Sequence, residues 1–200
     1  MPSRNIVKEP SPDSFYHIYA RGNNKQPIFV DDFDFDYFIN LLYRYLSPDK
    51  IKIQKYYYPS FFGQIKILAY CLKDNHFHML IYQKNKSDIE KFMRSIMTSY
   101  SMYFNLRYHR TGPLFESRYK SSYVMGDDYL CHISRYIHLN PRCWRRYKYS
   151  SLRYYQNSPN PAWLDVNTIL GQFSNRKAYY DYVLEDEINH NELNEIKHSL

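Results

Sequence analysis

The 200-residue chain is basic, with a formal net charge of +7 and an isoelectric point of about 9.1. It is long enough to bury a core without disulfide or metal staples. It has no apolar run of signal-peptide or membrane length, which predicts a cytoplasmic protein with no membrane partner. The charge favours a polyanionic partner such as nucleic acid, although a basic surface without such a partner has the same balance.

The composition divides the chain into three parts. Residues 1–13 carry three prolines and little apolar content, so we expect a flexible arm there. Residues 14–155 contain the regular apolar patterns and form the expected main domain. Prolines at 159 and 161 separate residues 156–200 from the main domain, and this segment is predicted to be a small C-terminal helical appendage that ends in an acidic tail.

Within the main domain, apolar periodicity and turn residues predict alternating strands and helices. Strands are expected at 14–20, in a hairpin at 65–82 and at 114–125. Helices are expected from the aspartates at 31–36, from a capping box that begins at Ser87 with Glu90, and over 129–140. Residues 50–63 fit no regular element.

This order of elements predicts an α+β fold of the ferredoxin-like (RRM-like) type, an antiparallel sheet with helices on one face. The hairpin holds two histidines, His76 and His78, separated by Phe77. Side chains alternate between the faces of a strand, so the histidines share one face and Phe77 lies on the other. If Phe77 packs under the helices, the histidines lie on the open face.

Two imidazoles side by side on an open strand face are able to hold a divalent metal. The ordinary alternative is a pair of surface or core histidines that happen to alternate. The pair alone does not decide between a metal site and an incidental pair of histidines. Residues further along the chain bear on that question.

The third predicted helix supplies candidate partners for the histidines. Leu130, Ile133 and Ile137 form its buried stripe. Tyr136 and Asn140 lie at the edge of that stripe, one turn apart. The amide oxygen of Asn140 is a candidate third ligand, and the hydroxyl of Tyr136 would then lie near a metal-bound phosphate. Alternatively, Tyr136 is a packing residue and Asn140 caps the helix.

Four motifs occur in a fixed order along the chain. They read RGNN at 21–24, AYC through HFHML at 69–80, GPLFESRYKS at 112–121 and YIHLNP at 136–141. Together they resemble the single-tyrosine HUH transposases (IS200-like), most closely the REP-associated tyrosine transposase branch. The resemblance covers residues 14–155, which it identifies as the catalytic domain. One departure is Lys73-Asp74, where relatives typically have a Met-Pro turn.

The resemblance implies a fold, a reaction and a set of site residues. His76, His78 and Asn140 would bind a divalent metal, Mg²⁺ or Mn²⁺, and Tyr136 would be the nucleophile. Such enzymes cut single-stranded DNA, often beside a hairpin, and become joined to its 5′ phosphate; rejoining gives strand transfer. The resemblance favours a monomer over the homodimer of the insertion-sequence relatives.

Basic and polar residues outside this set are candidates for contact with the DNA backbone. They are Arg21, Asn23, Asn24, Arg118, Lys120, Arg142, Arg145 and Arg146. Two other functions stay open at this point. One is a hairpin DNA- or RNA-binding module of the same fold that does not cut. The other is a metal-dependent nuclease that uses water, with Tyr136 in a structural role.

Overall fold

A computed structural model of the protein describes residues 10–49, 52–53 and 56–185. Its strands are β1 (Ser14–Arg21), β2 (Lys52–Ile53), β3 (Tyr56–Tyr57), β4 (Ile65–Lys73), β5 (His76–Gln83) and β6 (Lys120–Val124). Its α-helices are α1 (Asp32–Leu46), α2 (Asp88–Arg107), α3 (Asp127–Leu139), α4 (Leu152–Gln156), α5 (Asn167–Leu170) and α6 (Arg176–Glu185). Most of the predicted N-terminal arm and acidic tail lies outside the described residues.

The main sheet has four antiparallel strands in the order β4-β5-β1-β6. Strand β1 is central, the β4–β5 hairpin lies on one side of it, and β6 returns on the other side. This topology confirms the predicted α+β, ferredoxin-like sheet. The strands β2 and β3 form a separate small ladder within the segment for which no regular element was predicted.

Helices α1 and α2 cover one face of this sheet. Phe77 and Met79 of β5 are fully buried there, and the Phe38 ring of α1 lies 5.2 Å from the Phe77 ring. Tyr100 of α2 packs 5.2 Å from Phe38 and completes the layer. The apolar side chains that alternate with the histidines therefore point into the core, as the alternation predicts.

Helix α3 covers part of the second face, over β4 and β5. Its predicted stripe of Leu130, Ile133 and Ile137 is buried. The part of this face above β1 and β6 stays accessible, where Arg21 is exposed and Lys120 is partly exposed. The face that carries the histidines is thus a half-covered groove beside α3.

A buried hydrogen-bond chain joins α3 to α6 and to the edge of the sheet. In α3, Nδ1 of His138 lies 2.7 Å from the hydroxyl of Tyr179 in α6, and its Nε2 lies 2.7 Å from Oγ of Ser151. The backbone N–H of Tyr70 donates to the same Oγ at 2.8 Å. Burial lowers the pKa of His138 to about 3, so the imidazole is neutral. These hydrogen bonds fix α3 against β4.

Two local predictions were wrong. The strand expected at 114–125 forms only at Lys120–Val124, because the backbone of Leu114 and Phe115 pairs with the turn at 22–23 instead of with β1. The Ser87 side chain does not cap α2. The Asp88 carboxylate accepts the N–H of Asn85, and Glu90 binds Arg94.

None of the helices in the described residues is long and apolar enough to cross a bilayer.

Candidate active site on the histidine face

The sheet register arranges the site in rows across three strands. His76 lies opposite Lys73 of β4 on one side and opposite Arg21 of β1 on the other. Directly paired residues of antiparallel strands place their side chains on the same face. His76 therefore has a cation on each side of it, which makes this row attractive to an anion.

His76 presents a lone pair to the end of α3. Its Nδ1 lies 2.6 Å from Oδ1 of Asn75, which only accepts hydrogen bonds, so Nδ1 carries the ring proton. Its Nε2 lies 3.3 Å from Oδ1 of Asn140. Two ligands of an octahedral ion at about 2.1 Å lie about 3.0 Å apart. The two acceptor atoms thus have the spacing that a small divalent cation between them requires.

His78 supplies the second imidazole of the pair. Its ring is perpendicular to that of His76, and the ring centroids are 5.2 Å apart. Its Nδ1 lies 2.9 Å from Nε2 of His17. Within the described residues, no three His, Cys, Asp or Glu side chains form a metal-type cluster. The side chain next to His76 at the end of α3 is instead an amide, that of Asn140.

The phenol of Tyr136 lies beside the histidines. Its ring is 5.6 Å from the ring of His78 and perpendicular to it. Burial raises the pKa of Tyr136, and Tyr19 nearby raises it further, whereas a hydrogen bond to Asn140 and the charge of Arg21 lower it. The phenol is consequently protonated at neutral pH in the metal-free site. Its position one turn before Asn140 follows from the helical repeat.

Two residues near the histidines were missed in the sequence. Lys73 donates from Nζ to the backbone oxygen of Asn140 at 3.3 Å, at the negative end of the α3 dipole. Its pKa is lowered by desolvation and by the nearby charges of Arg142 and Arg21. His17 contacts His78, and burial lowers its own pKa to about 4. Strand alternation from Arg21 back through Tyr19 to His17 was the signal that could have found His17.

The predicted DNA-contact residues lie around the same end of the sheet. Asn23 and Asn24 follow β1, Arg118 precedes β6, and Arg142 follows α3. Lys120 lies with Nζ 5.8 Å from the centroid of the Tyr19 ring. Arg145 and Arg146 are exposed in the 3₁₀ turn after α3, where Arg145 stacks on Trp144 at 4.5 Å. Residues 142–146 line a shallow cavity of about 170 Å³.

Comparison with known proteins finds one matching family model and a solved structure of similar fold. Residues 62–140, which span β4, β5, α2 and α3 to Asn140, match the family model described as "Transposase IS200 like". The fold is similar to a solved structure described as "Structure of the REP associates tyrosine transposase bound to a REP hairpin". That likeness has a TM-score of 0.53 and 12% identity, and it covers 76% of this chain and 84% of the other.

At that identity the solved structure shows the shared fold alone. No curated protein matches the chain in sequence. The matched segment contains both histidines, Tyr136 and Asn140. Over residues 62–140 this chain is therefore similar to the IS200-like transposase family, and its fold is that of a tyrosine transposase.

Proposed function

We propose that this transposase cleaves and rejoins single-stranded DNA through a covalent 5′-phosphotyrosine at Tyr136. The observation that carries the proposal is the convergence of Tyr136 of α3, and of Asn140 at the C-terminal cap of α3, on His76 and His78 of β5. A DNA-binding module that does not cut has no need for a phenol, two imidazoles and an amide at one point. The convergence therefore favours an enzyme over a binding module.

The residues present fit a divalent metal, Mg²⁺ or Mn²⁺. Nε2 of His76, Nε2 of His78 and Oδ1 of Asn140 would hold it. When bound, the ion would withdraw charge from a phosphate oxygen and favour ionisation of a nearby phenol. Asn140 is neutral, so the site keeps more positive charge than it would with a carboxylate ligand. That charge suits an anionic substrate.

The reaction is a phosphoryl transfer between two oxygen atoms. The phenol of Tyr136 gives up its proton, and its oxygen attacks the phosphorus of the scissile phosphodiester. The bond from phosphorus to the 3′ oxygen breaks, and that oxygen takes up a proton to become a 3′ hydroxyl. The number of phosphate ester bonds is unchanged, so no ATP is needed. Attack by a second 3′ hydroxyl reverses the step and releases Tyr136.

The cations around the site support a nucleic-acid substrate. Arg21 and Lys73 flank His76, and Arg142 lies close to Lys73. Such a row binds the phosphates on either side of the cleaved bond. We infer that the substrate is single-stranded DNA beside a hairpin and that the chain resembles the REP-associated branch. The solved structure with the similar fold is bound to a REP hairpin.

A covalent trapping experiment tests the proposal. The whole chain is incubated with Mn²⁺ and a single-stranded hairpin oligonucleotide taken from beside its own gene, then resolved under denaturing conditions. We expect a protein–DNA adduct, which peptide mass spectrometry assigns to Tyr136. A water-using nuclease would give cut DNA without an adduct, and a binding module would give neither.

The chain offers a matched control for the nucleophile. Tyr129 lies on the same helix, is 39% exposed and stacks on His132 at 6.1 Å. We expect Tyr136→Phe to abolish both cleavage and adduct, because a phenyl ring cannot form a phosphate ester, and Tyr129→Phe to keep both. Cleavage that persists in Tyr136→Phe would overturn the assignment.

A further inference from the structure

His17 of β1 forms a second layer behind the histidine pair. Its ring stacks on that of His78, with centroids 5.1 Å apart and planes inclined by 21°. Its Nε2 lies 2.9 Å from Nδ1 of His78, so the contact is a hydrogen bond as well as a stack. The side chain of His17 is buried, as is that of His78.

The direction of this hydrogen bond decides what His78 can do. A neutral imidazole has one N–H and one lone pair. If His78 binds a metal through Nε2, its proton must sit on Nδ1 and be donated to Nε2 of His17. If His17 donates instead, the proton of His78 sits on Nε2 and blocks metal binding. Partners of the second ring nitrogen fix the tautomer of metal-binding histidines in general.

The same side chain contacts the proposed nucleophile. The ring of His17 lies 5.8 Å from the ring of Tyr136, edge to face at 75°. Tyr136 also lies against His78, so the three rings form one packed group. A shift of His17 would therefore change the position of the ligand and of the phenol together.

We infer that His17 is a positioning residue that accepts the Nδ1 proton of His78 and so holds the Nε2 lone pair of His78 toward the metal. The inference rests on the proposed function, because it takes His78 as a metal ligand. It adds a role for a residue that neither the motifs nor the pair itself assigns.

The test measures metal affinity. If His17 only supported the fold, its replacement would lower stability without a specific loss of metal affinity. All variants carry Tyr136→Phe to prevent cleavage, and Mn²⁺ binding is measured by calorimetry and by electron paramagnetic resonance. His17→Leu removes the acceptor, and we expect the affinity for Mn²⁺ to fall about tenfold or more, the usual loss when such a partner is removed. His17→Gln places an amide oxygen near the former Nε2 and should retain most of the affinity.

A matched control separates this effect from general destabilisation. Ile18 is fully buried next to His17 but points to the opposite face. Ile18→Val should lower the unfolding temperature without changing Mn²⁺ affinity. Long-range proton–nitrogen NMR of the metal-free chain gives a second measurement: we expect the His78 proton on Nδ1, and a mixture of tautomers in His17→Leu.

The outcomes distinguish the inference from the function on which it depends. If the parent chain binds no Mn²⁺, the proposed metal chemistry fails. If the parent binds Mn²⁺ and His17→Leu binds it equally well, or if NMR places the His78 proton on Nε2, the inference about His17 fails while the proposed function stands.

Discussion

Oδ1 of Asn140 lies 3.3 Å from Nε2 of His76, although 64 residues separate them in the chain. This contact joins the end of α3 to the first residue of β5. It places the amide and the imidazole on either side of one point, close to the phenol of Tyr136. The site therefore exists only if the end of α3 packs against the start of β5.

The first prediction concerns that contact. Asn140→Ala removes one proposed metal ligand, so we expect weaker Mn²⁺ binding and loss of DNA cleavage. Binding of hairpin DNA in the presence of a chelator should persist, because phosphate contacts are made elsewhere. Asn157→Ala, at an exposed helix end, is the control and should leave both unchanged. Normal cleavage by Asn140→Ala would remove the residue from the site.

The second prediction concerns Lys73, whose ammonium group lies near the charges of Arg142 and Arg21. Replacing it by Gln removes one charge near the bound backbone. We expect weaker binding of single-stranded DNA and a slope of log affinity against log salt that is shallower by about 0.7. Lys91→Gln, exposed on α2 in the other layer, should not change the slope. An unchanged slope for Lys73→Gln would place this cation outside the interface.

The third prediction concerns pH and the buried His138. Its folded pKa of about 3 lies below the unfolded value near 6.5, so the unfolded chain binds the extra proton. Its neighbours Tyr179, Ser151 and Tyr155 are neutral. The contribution of His138 to the free energy of unfolding is therefore constant above about pH 6.5. Below that pH it falls by about 1.4 kcal/mol per pH unit.

Urea unfolding at pH 7.5 and pH 5.0 measures this effect. The difference between the two free energies of unfolding should be smaller by about 2 kcal/mol in His138→Gln than in the parent chain. His109→Asn, at an exposed position after α2, is the control and should keep the parent difference. An equal difference in His138→Gln would mean that the imidazole is charged in the fold.

The fourth prediction concerns an ion pair between α1 and α2 in which the carboxylate is buried and the arginine is partly exposed. The carboxylate of Asp34 is fully buried, and Arg107 donates to it from Nη1 at 2.7 Å. Removing Arg107 leaves the buried Asp34 carboxylate without its cation, so we expect Arg107→Met to lower the free energy of unfolding by more than the loss of an exposed ion pair does. The exposed Arg94–Glu90 pair on α2 is the comparison. Arg94→Met should cost less than about 1 kcal/mol, and equal losses would contradict the role of burial.

The sequence predicted the sheet and the direction of its side chains because both depend on short-range periodicity. Alternation places His76 and His78 on one face, and the helical repeat places Tyr136 above Asn140. The fold is confirmed and the family match over residues 62–140 supports the resemblance, whereas the roles of these residues stay predictions. Their proximity needed one further step, the packing of α3 across β4 and β5.

The missed residues depend on long-range register, which periodicity does not contain. His17 meets His78 because β1 and β5 pair with one specific alignment, and Lys73 borders the site because β4 pairs with β5 in another. The end of α3 is fixed by the contacts of His138 with Ser151 and Tyr179, which come later in the chain. Each is a tertiary contact between segments that look unrelated in the sequence.

The hydrogen-bond chain around His138 has a consequence for how two copies of the protein behave together. It ties α3 to α6 and β4 of its own chain, so Tyr136 lies beside the histidines of the same molecule. We expect turnover per molecule to be independent of protein concentration. A mixture of His76→Ala and Tyr136→Phe copies should stay inactive, because no composite site forms between them, and restored activity would mean that α3 is exchanged between copies.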